Sequence, residues 1–354
     1  MPNLSSYTKA TEASILSSSP SADGEMAYST DTNKLFLSDG TAWVEWRSDG
    51  FSRGSYSLDA NTTISARPYR HIDMSDTTGM KNASGSTPSN GDTISEITCK
   101  STGKKLTQDV SVYQPKFISS AGTAPIAGAS WTTDADADAL INGKSVLQFK
   151  NSKTDGQTFI AEAPFGNGDD ISFLKDLSVF FVFRNAGGNH TYAPIISTPV
   201  IRTMVGTNSA LFGITDSENV ANGASNGYFR FNNYLGNALS SVHTGKIEMG
   251  YRHLIYHRQQ ISSSSQYGFT KFHNSKSTNN DYSGQYIQTN LSNPTPPIIT
   301  GLSIAHGIQG PANTSWGGEM GEIIMFKTVL SDSDVNAVGA YLSSKWGISW
   351  TDIG

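Results

Sequence analysis

The chain has 354 residues, of which 36% are hydrophobic and only 16% charged, with a formal charge of −5. No Lys/Arg block supplies the electrostatic footprint of a nucleic-acid binder, and no apolar run of about 18 residues offers a membrane span. The lone cysteine, Cys99, excludes an intrachain disulfide, so stability has to come from burial or from oligomerisation.

Ser, Thr, Asn and Gly take the place of the missing charges. They suit short strands joined by many turns, while the spread of Trp, Tyr and Phe argues against disorder. Met1-Pro-Asn-Leu4 opens no charged and apolar leader pattern, so synthesis in a cytoplasm is expected. In chain order, Leu4–Pro20 is Ser/Thr-rich and reads as a short helix or an extended arm. Residues 24–46 then hold three strand-like runs separated by Asp-Thr-Asn and Asp-Gly turns. So small a meander buries little surface, and Tyr28, Leu35, Phe36, Trp43 and Trp46 are its candidate attachment and self-association residues. Residues 51–67 read as a linker or an extra strand pair.

From about Pro68 onward strand candidates recur at sandwich-like spacing. They are Ser145–Lys150, Gln157–Ala161, Leu177–Arg184, Ala193–Ser197, Ser209–Thr215, Gly227–Phe231, Ile247–Arg258, Tyr267–Lys271, Ile299–His306 and Gly318–Phe326. Nothing alternates with long helical patterns, which excludes α/β folds. Val179-Phe-Phe-Val-Phe183 reads as a strand near the middle of a sandwich. The Ser/Asn-rich stretch 271–297 reads as a loop or hairpin. The one convincing helix is last: Ser331 as N-cap, Val335, Val338, Tyr341, Leu342 and Trp346 as an apolar face, Lys345 in the last turn, and Gly347 as the stop.

Two resemblances follow from these motifs. Gly24-Glu25-x-x-Tyr28, Asp31-Thr32 with Lys34-Leu35, and Asp39-Gly-Thr-Ala-Trp43-Val44 resemble a short module near the N-termini of bacteriophage fibre proteins. His71-Ile72-Asp73, Gln114-Pro115-x-Phe117, Asn142-Gly-Lys-Ser-Val-Leu-Gln-Phe149, Arg252-His253, Gly318–Phe326 and Tyr341-Leu342-x-x-Lys345-Trp346-Gly347 resemble the concanavalin-A-like, laminin-G-like jelly roll of phage structural proteins. The resemblance implies an all-β jelly-roll sandwich over residues 68–354 with one C-terminal helix, behind an attachment module at 1–50 and a linker at 51–67. It implies a non-enzymatic virion protein, a short tail or neck fibre whose jelly roll binds host-surface glycan. The alternatives are a capsid decoration with a purely structural role and, more weakly, a glycan-degrading enzyme. The implied partners are further copies of the chain, as a trimer, and other virion proteins through the N-terminus; the implied location is the virion.

Candidate chemistry is sparse. Glycosidases of this fold need two carboxylates facing one sugar. The nearest pair, Glu319 and Glu322, falls by strict alternation on opposite faces of a strand, so no catalytic residue is expected. Asp134, Asp136 and Asp138 look like the start of a calcium loop, but Ala139 and Ser145 stand where an EF-hand needs Gly and Glu. A calcium site built from loop oxygens stays open, and otherwise no cofactor is expected. His253 and His257 have the spacing of a zinc pair on a helix, yet lie in a strand pattern that sets them about 13 Å apart. Cys99 reads as a small buried side chain. For sugar contact the candidates are Trp316 with Asn313, and Tyr228, Asn232 and Tyr234 with neighbouring Asn233, because sugar sites combine an aromatic face with amide partners.

Overall fold

The structure, a computed structural model, describes residues 8–21, 23–32, 34–39, 41–46, 55–125, 138–150, 159–161, 176–188, 192–197, 210–215, 226–235, 238–248, 250–261, 265–274, 282–289, 303–304 and 316–354. The chain divides into two compact units, Met1–Arg67 and Pro68–Gly354.

In the small unit, β1 (Thr8–Ala10), α1 (Glu12–Ser17), β2 (Asp23–Ser29), β3 (Leu35–Asp39) and β4 (Trp43–Trp46) form a sheet ordered β1-β2-β3-β4 with the helix beside it. The expected meander is β2–β4. The Ser/Thr-rich opening supplies both a strand, which pairs parallel with β2, and a helix capped by the Thr11 side chain. Ile15, Ala27 and Phe36 form the core, with Ala10 and Trp43 packed against it. A hairpin of β5 (Tyr56–Ser57) and β6 (Thr63–Ile64) ends this unit. Its turn is held by Asp59, whose carboxylate accepts the Asn61 and Thr62 amides.

The large unit is all-β with one long helix. Its first strands are β7 (Arg70–Asp73), β8 (Met80–Asn82), β9 (Ile94–Thr98), β10 (Lys105–Thr107), β11 (Lys116–Ile118) and β12 (Val146–Phe149). The middle is built by β13 (Phe159–Ala161), β14 (Asp176–Gly188), β15 (Tyr192–Ser197), β16 (Ala210–Thr215), β17 (Asn226–Leu235) and β18 (Ala238–Glu248). β19 (Arg252–Ile261), β20 (Ser265–Asn274), β21 (Tyr282–Thr289), β22 (Ser303–Ile304), β23 (Trp316–Phe326) and α2 (Asp332–Trp346) close the chain. One sheet runs β18-β17-β16-β15-β22-β13-β10-β9-β8, the other β11-β12-β23-β14-β19-β20-β21 with β7 also on β23. This strand order establishes the all-β class but not the jelly-roll connections. Among the described residues no helix is long and apolar enough to cross a membrane.

β14 pairs with β19 on one side and β23 on the other, so its apolar run sits centrally in the second sheet, as the sequence indicates. Val179, Phe181 and Phe183 lie on one face with Ile255, Met320, Ile323 and Met325, all buried. Phe180, Val182, Leu254 and Tyr256 lie on the other, where Trp350 packs on Phe180 and Tyr256. A strand covered on both faces needs continuous rather than alternating apolarity. α2 has its expected caps: Ser331 accepts the Asp334 amide, and Gly347 is left-handed at φ 66°.

Candidate functional site

Two polar clusters are buried along β23, and one local irregularity creates their geometry. In the ladder with β14, Val182 pairs with Glu322 but Phe183 pairs with Met320, leaving Gly321 as an extra residue. Such a bulge shifts the alternation by one. Glu319 pairs with Arg184 and Glu322 with Val182, so the two glutamates share one face of the sheet. The expectation that they point to opposite faces is corrected: it assumed a regular strand. The Gly321 carbonyl, released from the ladder, accepts the Met74 amide at 2.9 Å and guides the chain out of β7.

Glu322 is almost wholly buried, yet its carboxylate has four side-chain partners. Oε1 accepts from His71 Nε2 at 2.6 Å and Tyr341 OH at 2.9 Å; Oε2 accepts from Lys345 Nζ and Trp346 Nε1, each at 2.8 Å. Lys345 also reaches Asp73 Oδ2 at 2.7 Å, and Lys100 meets Asp73 at 3.1 Å. Burial by itself would raise both carboxyl pKa values. For Glu322 the His71 hydrogen bond and the Lys345 charge prevail, and for Asp73 the Lys345 and Lys100 charges do, so both groups are held below the ordinary range. Glu319 is the second cluster. It accepts from Arg184 Nη1 at 2.8 Å and Gln148 Nε2 at 3.0 Å, with no exposure.

His71, Asp73 and Glu322 bring ligand atoms within 4.8 Å of one another, a donor set that a hard divalent cation could use. The Lys345 ammonium already stands between the two carboxylates, so the cluster carries its own cation. The donors to Glu322 come from β7 and α2, and Asp73 is met by Lys345, by Lys100 two residues beyond β9 and by Ser75 just after β7. The arrangement ties α2 to the sheet. Neither glutamate has the exposure to sugar that the glycosidase pair requires.

The remaining sequence candidates are dispersed. Trp316 is fully buried; its ring meets Phe149 and Phe183 in the apolar core, and its Nε1 donates to Asn185 at 3.1 Å. The expectation of Trp316 as a sugar platform is therefore corrected: β23 begins at this residue, not after it, which carries the ring into the core. Asn313 lies outside the described residues, as do Asp134 and Asp136. Asp138 accepts the Leu140 and Gly122 amides, the work of a turn carboxylate. In the small unit Phe36 is core rather than surface, Trp43 packs on that core with Nε1 donating to Ser18, and Tyr28 and Leu35 are half-buried. The expectation of Phe36 as an attachment residue is corrected on that burial. Trp46 pairs with Leu35 in the β3–β4 ladder. His253 and His257 are both buried and pair with Phe183 and Val179, on the core face of β19. Cys99 is buried, with Sγ 3.3 Å from Ser101 Oγ.

The third group falls on the first sheet, where the register fixes which face is which. At one end, Leu106, Ile97 and Met80 are paired across β10, β9 and β8 and buried, while Lys105 and Lys81, one position along, are exposed. Leu106 pairs with Ala161; Phe159, two residues away, pairs with Ile304, which is fully buried. Ile304 pairs with Ile196, Ile196 with Phe212, and Phe212 with Phe231. Paired residues share a face, so the register groups Phe212, Ile214, Phe229 and Phe231 on one face of β16 and β17. Tyr228, Arg230, Asn232 and Tyr234 occupy the opposite side. The register therefore brings the candidates Tyr228, Asn232 and Tyr234 together and puts Asn233 on the other face. It also adds residues that sequence reasoning missed: Tyr192–Thr215–Tyr228–Lys246 form one row across β15–β18, and Pro194–Gly213–Arg230–His243 the next.

No family model matches the chain, and no curated protein does either. Solved structures with related coordinates include an arabinofuranosidase complexed with arabinofuranosyl-alpha-1,2-xylobiose, at 12% identity over 80% of this chain and 60% of that one, TM-score 0.44. They include Trypanosoma rangeli sialidase in complex with sialic acid, at 10% identity over 91% of this chain and 45% of that one, TM-score 0.43. A third is the CBM40 of Ruminococcus gnavus IT-sialidase, bound to alpha2,3 sialyllactose, at 10% identity over 50% of this chain and 90% of that one, TM-score 0.33. The chain thus spans less than two thirds of the arabinofuranosidase and under half of the sialidase. At these scores the likeness assigns no activity or substrate. These neighbours are two glycosidases and a module of a third, not virion components, and on that finding the reading as a non-enzymatic phage structural protein, fibre or decoration, is withdrawn.

Proposed function

We propose that the protein is glycan-directed and holds an oligosaccharide along β15–β18. One observation carries this reading: the strand register sets Tyr192, Tyr228 and Tyr234 in neighbouring rows with Arg230, Asn232 and His243 across β15–β18. A sugar ring offers C–H faces to aromatic rings and hydroxyls to planar amide and guanidinium groups, and this row supplies both kinds of partner. The strands around it are rich in Asn, Ser and Thr, which add neutral donors and acceptors. Glu319 and Glu322 take no part, since each is buried and neutralised within its own cluster.

The test is an array of neutral and anionic oligosaccharides, followed by titration calorimetry on the binders. Saturable binding is expected, weakened about tenfold or more by Tyr228→Ala combined with Tyr234→Ala while the melting transition is kept. Absence of binding to every class on the array would refute the reading. The same mixtures, examined for reducing ends, separate binding from cleavage; any cleavage should survive Glu319→Gln in a folded variant.

A further inference from the structure

We infer that the slot between α2 and β20 is a recognition site for an extended, tryptophan-anchored peptide, and that residues 349–353 are its resident occupant, a strap that can leave it. After α2 the chain turns at Gly347, buries Ile348, and runs back beside the helix without joining helix or sheet. Side chains read the backbone of this segment. Asn336 holds Ile353 at both polar atoms, accepting its amide at 2.8 Å and donating to its carbonyl at 3.0 Å. The Lys271 ammonium donates to the Thr351 and Asp352 carbonyls. Trp350 is the main anchor. Its ring lies 5.2 Å from His273, 6.2 Å from Phe180 and 6.5 Å from Tyr256, centroid to centroid, with Lys271 Nζ 5.3 Å away. Ser349, Thr351 and Asp352 are exposed. Main-chain hydrogen bonds for affinity, with a pocket for one anchoring side chain, are the mode by which proteins bind extended peptides.

The slot is built by residues other than the strap. Glycine is disfavoured in a helix interior, yet Gly339 sits in the middle of α2, where a Cβ would lie 2.1 Å from the Trp350 ring. The helix gives up a side chain at the place where the indole lies. The walls are fastened elsewhere. Tyr341, Lys345 and Trp346 hold α2 to Glu322, and the Leu330 amide, just before the cap, donates to Ser178 Oγ at 3.1 Å. Phe180, Tyr256 and His273 stand on β14, β19 and β20, which pair in that order. None of these contacts involves the strap. The fit also lacks one bond: Trp350 Nε1 is enclosed and, among the described residues, has no acceptor. An enclosed N–H without an acceptor weakens docking, because release returns it to water. The seat therefore holds the indole by shape and ring contact, and the peptide that fits it is this chain's own sequence, from the same molecule or from a second copy.

The experiment uses the full chain carrying Trp350→Ala, which empties the seat, and a fluorescent heptapeptide of residues 348–354 followed by anisotropy. The peptide is expected to bind this variant saturably, about tenfold or more tightly than it binds the unaltered chain, whose own strap competes. A peptide with alanine in place of its tryptophan should lose that binding, and Asn336→Ala added to the variant should weaken it about fivefold. Absence of binding to the Trp350→Ala chain, or equal affinity for the two peptides, overturns the inference. Should Trp350→Ala fail to fold, Gly339→Ala in the full chain decides by hydrogen exchange. A methyl group in the seat is expected to speed exchange of the Ile353 amide about tenfold while α2 and β19 keep their protection. Unchanged exchange at Ile353 would mean that the seat does not hold the strap. Protection lost across α2 and β19 together, or failure of this variant to fold, would make the segment part of the core; each of these results overturns the inference. Neither measurement involves a glycan, so its outcome is separate from that of the oligosaccharide array.

Discussion

Replacing Lys345 by methionine tests the claim that the β7–β23–α2 cluster is a structural tie with an internal cation. Lys345 lies 2.7 Å from Asp73 and 2.8 Å from Glu322, with 14% of its side chain exposed against 5% and 0% for the two acids. Methionine keeps the length of the stem, so the change removes charge and hydrogen bonds more than volume. Two carboxylates are then left close together, with Lys100 still serving Asp73. Breaking a buried pair by removing one partner costs about 3–5 kcal/mol. Lys100 and the slight exposure of Lys345 place the expected loss near the lower end, about 3 kcal/mol. The assay is denaturant unfolding of the full chain followed by tryptophan emission, with the transition of the larger unit fitted separately because two units need not unfold together. Lys345→Met combined with Glu322→Leu removes both charges, and this pair should be less destabilised than the sum of the single changes by about 1–3 kcal/mol. A loss under about 0.5 kcal/mol for Lys345→Met, or strict additivity, would refute the reasoning. Binding of glycan by the folded variant should be unchanged, because the tie lies on the other sheet.

Two further outcomes follow from the same geometry. Gly321→Ala should destabilise by about 1–3 kcal/mol in the same unfolding assay, because a Cβ there would lie 2.8 Å from the Trp346 ring and the bulge gives little room to yield; a neutral result would mean that the packing of α2 is looser than described. Burial depresses His257 from 6.5 to about 3. The unfolded chain therefore binds a proton that the folded chain refuses between those values, and stability should fall as pH drops from about 6.5, by up to about 1.4 kcal/mol per pH unit. His257→Leu should flatten that slope between pH 6 and 4; an unchanged slope would remove His257 as its source. The carboxylates Asp73 and Glu322 act lower, their contribution being complete above the ordinary carboxylate range and lost as pH falls through their depressed values.

Much of the fold was legible because its signals are local. The helix 332–346 carries its cap, apolar stripe and stop within seventeen residues, and Val179–Phe183 announces a doubly covered strand by continuous apolarity. The Ser/Asn-rich stretch after Lys271 holds the β20–β21 hairpin, one of its two expected forms. Signals that depend on distant partners were not legible. One run from Ile247 to Arg258 reads as a single strand, yet Gly250 lies in a turn at φ 84° that separates β18 from β19. β18 itself, Ala238–Glu248, has too many small and polar residues to stand out.

The sites divide the same way. Glu322, His71, Asp73 and Lys345 are visible in the sequence as motif letters, but their meeting depends on Asp73 pairing with Glu322 across some 250 positions. A glycine beside a glutamate was the available signal for the bulge, since an isolated glycine in a strand marks one. Trp316 misled because a tryptophan in a Gly/Asn-rich stretch looks like a loop residue until its pairing with Gly188 is known. Tyr228, Asn232 and Tyr234 were legible as a polar-aromatic cluster close in sequence, whereas Tyr192, Arg230 and His243 join them only through the register of four strands.

The central claim, that an oligosaccharide binds along β15–β18, is tested most directly by a crystal structure of the full chain with the tightest binder from the array. Sugar density lying along β17, with ring faces on Tyr228 or Tyr234 and polar contact to Arg230, is the expected result. Density seated on another surface of the protein, with these residues untouched, would contradict it.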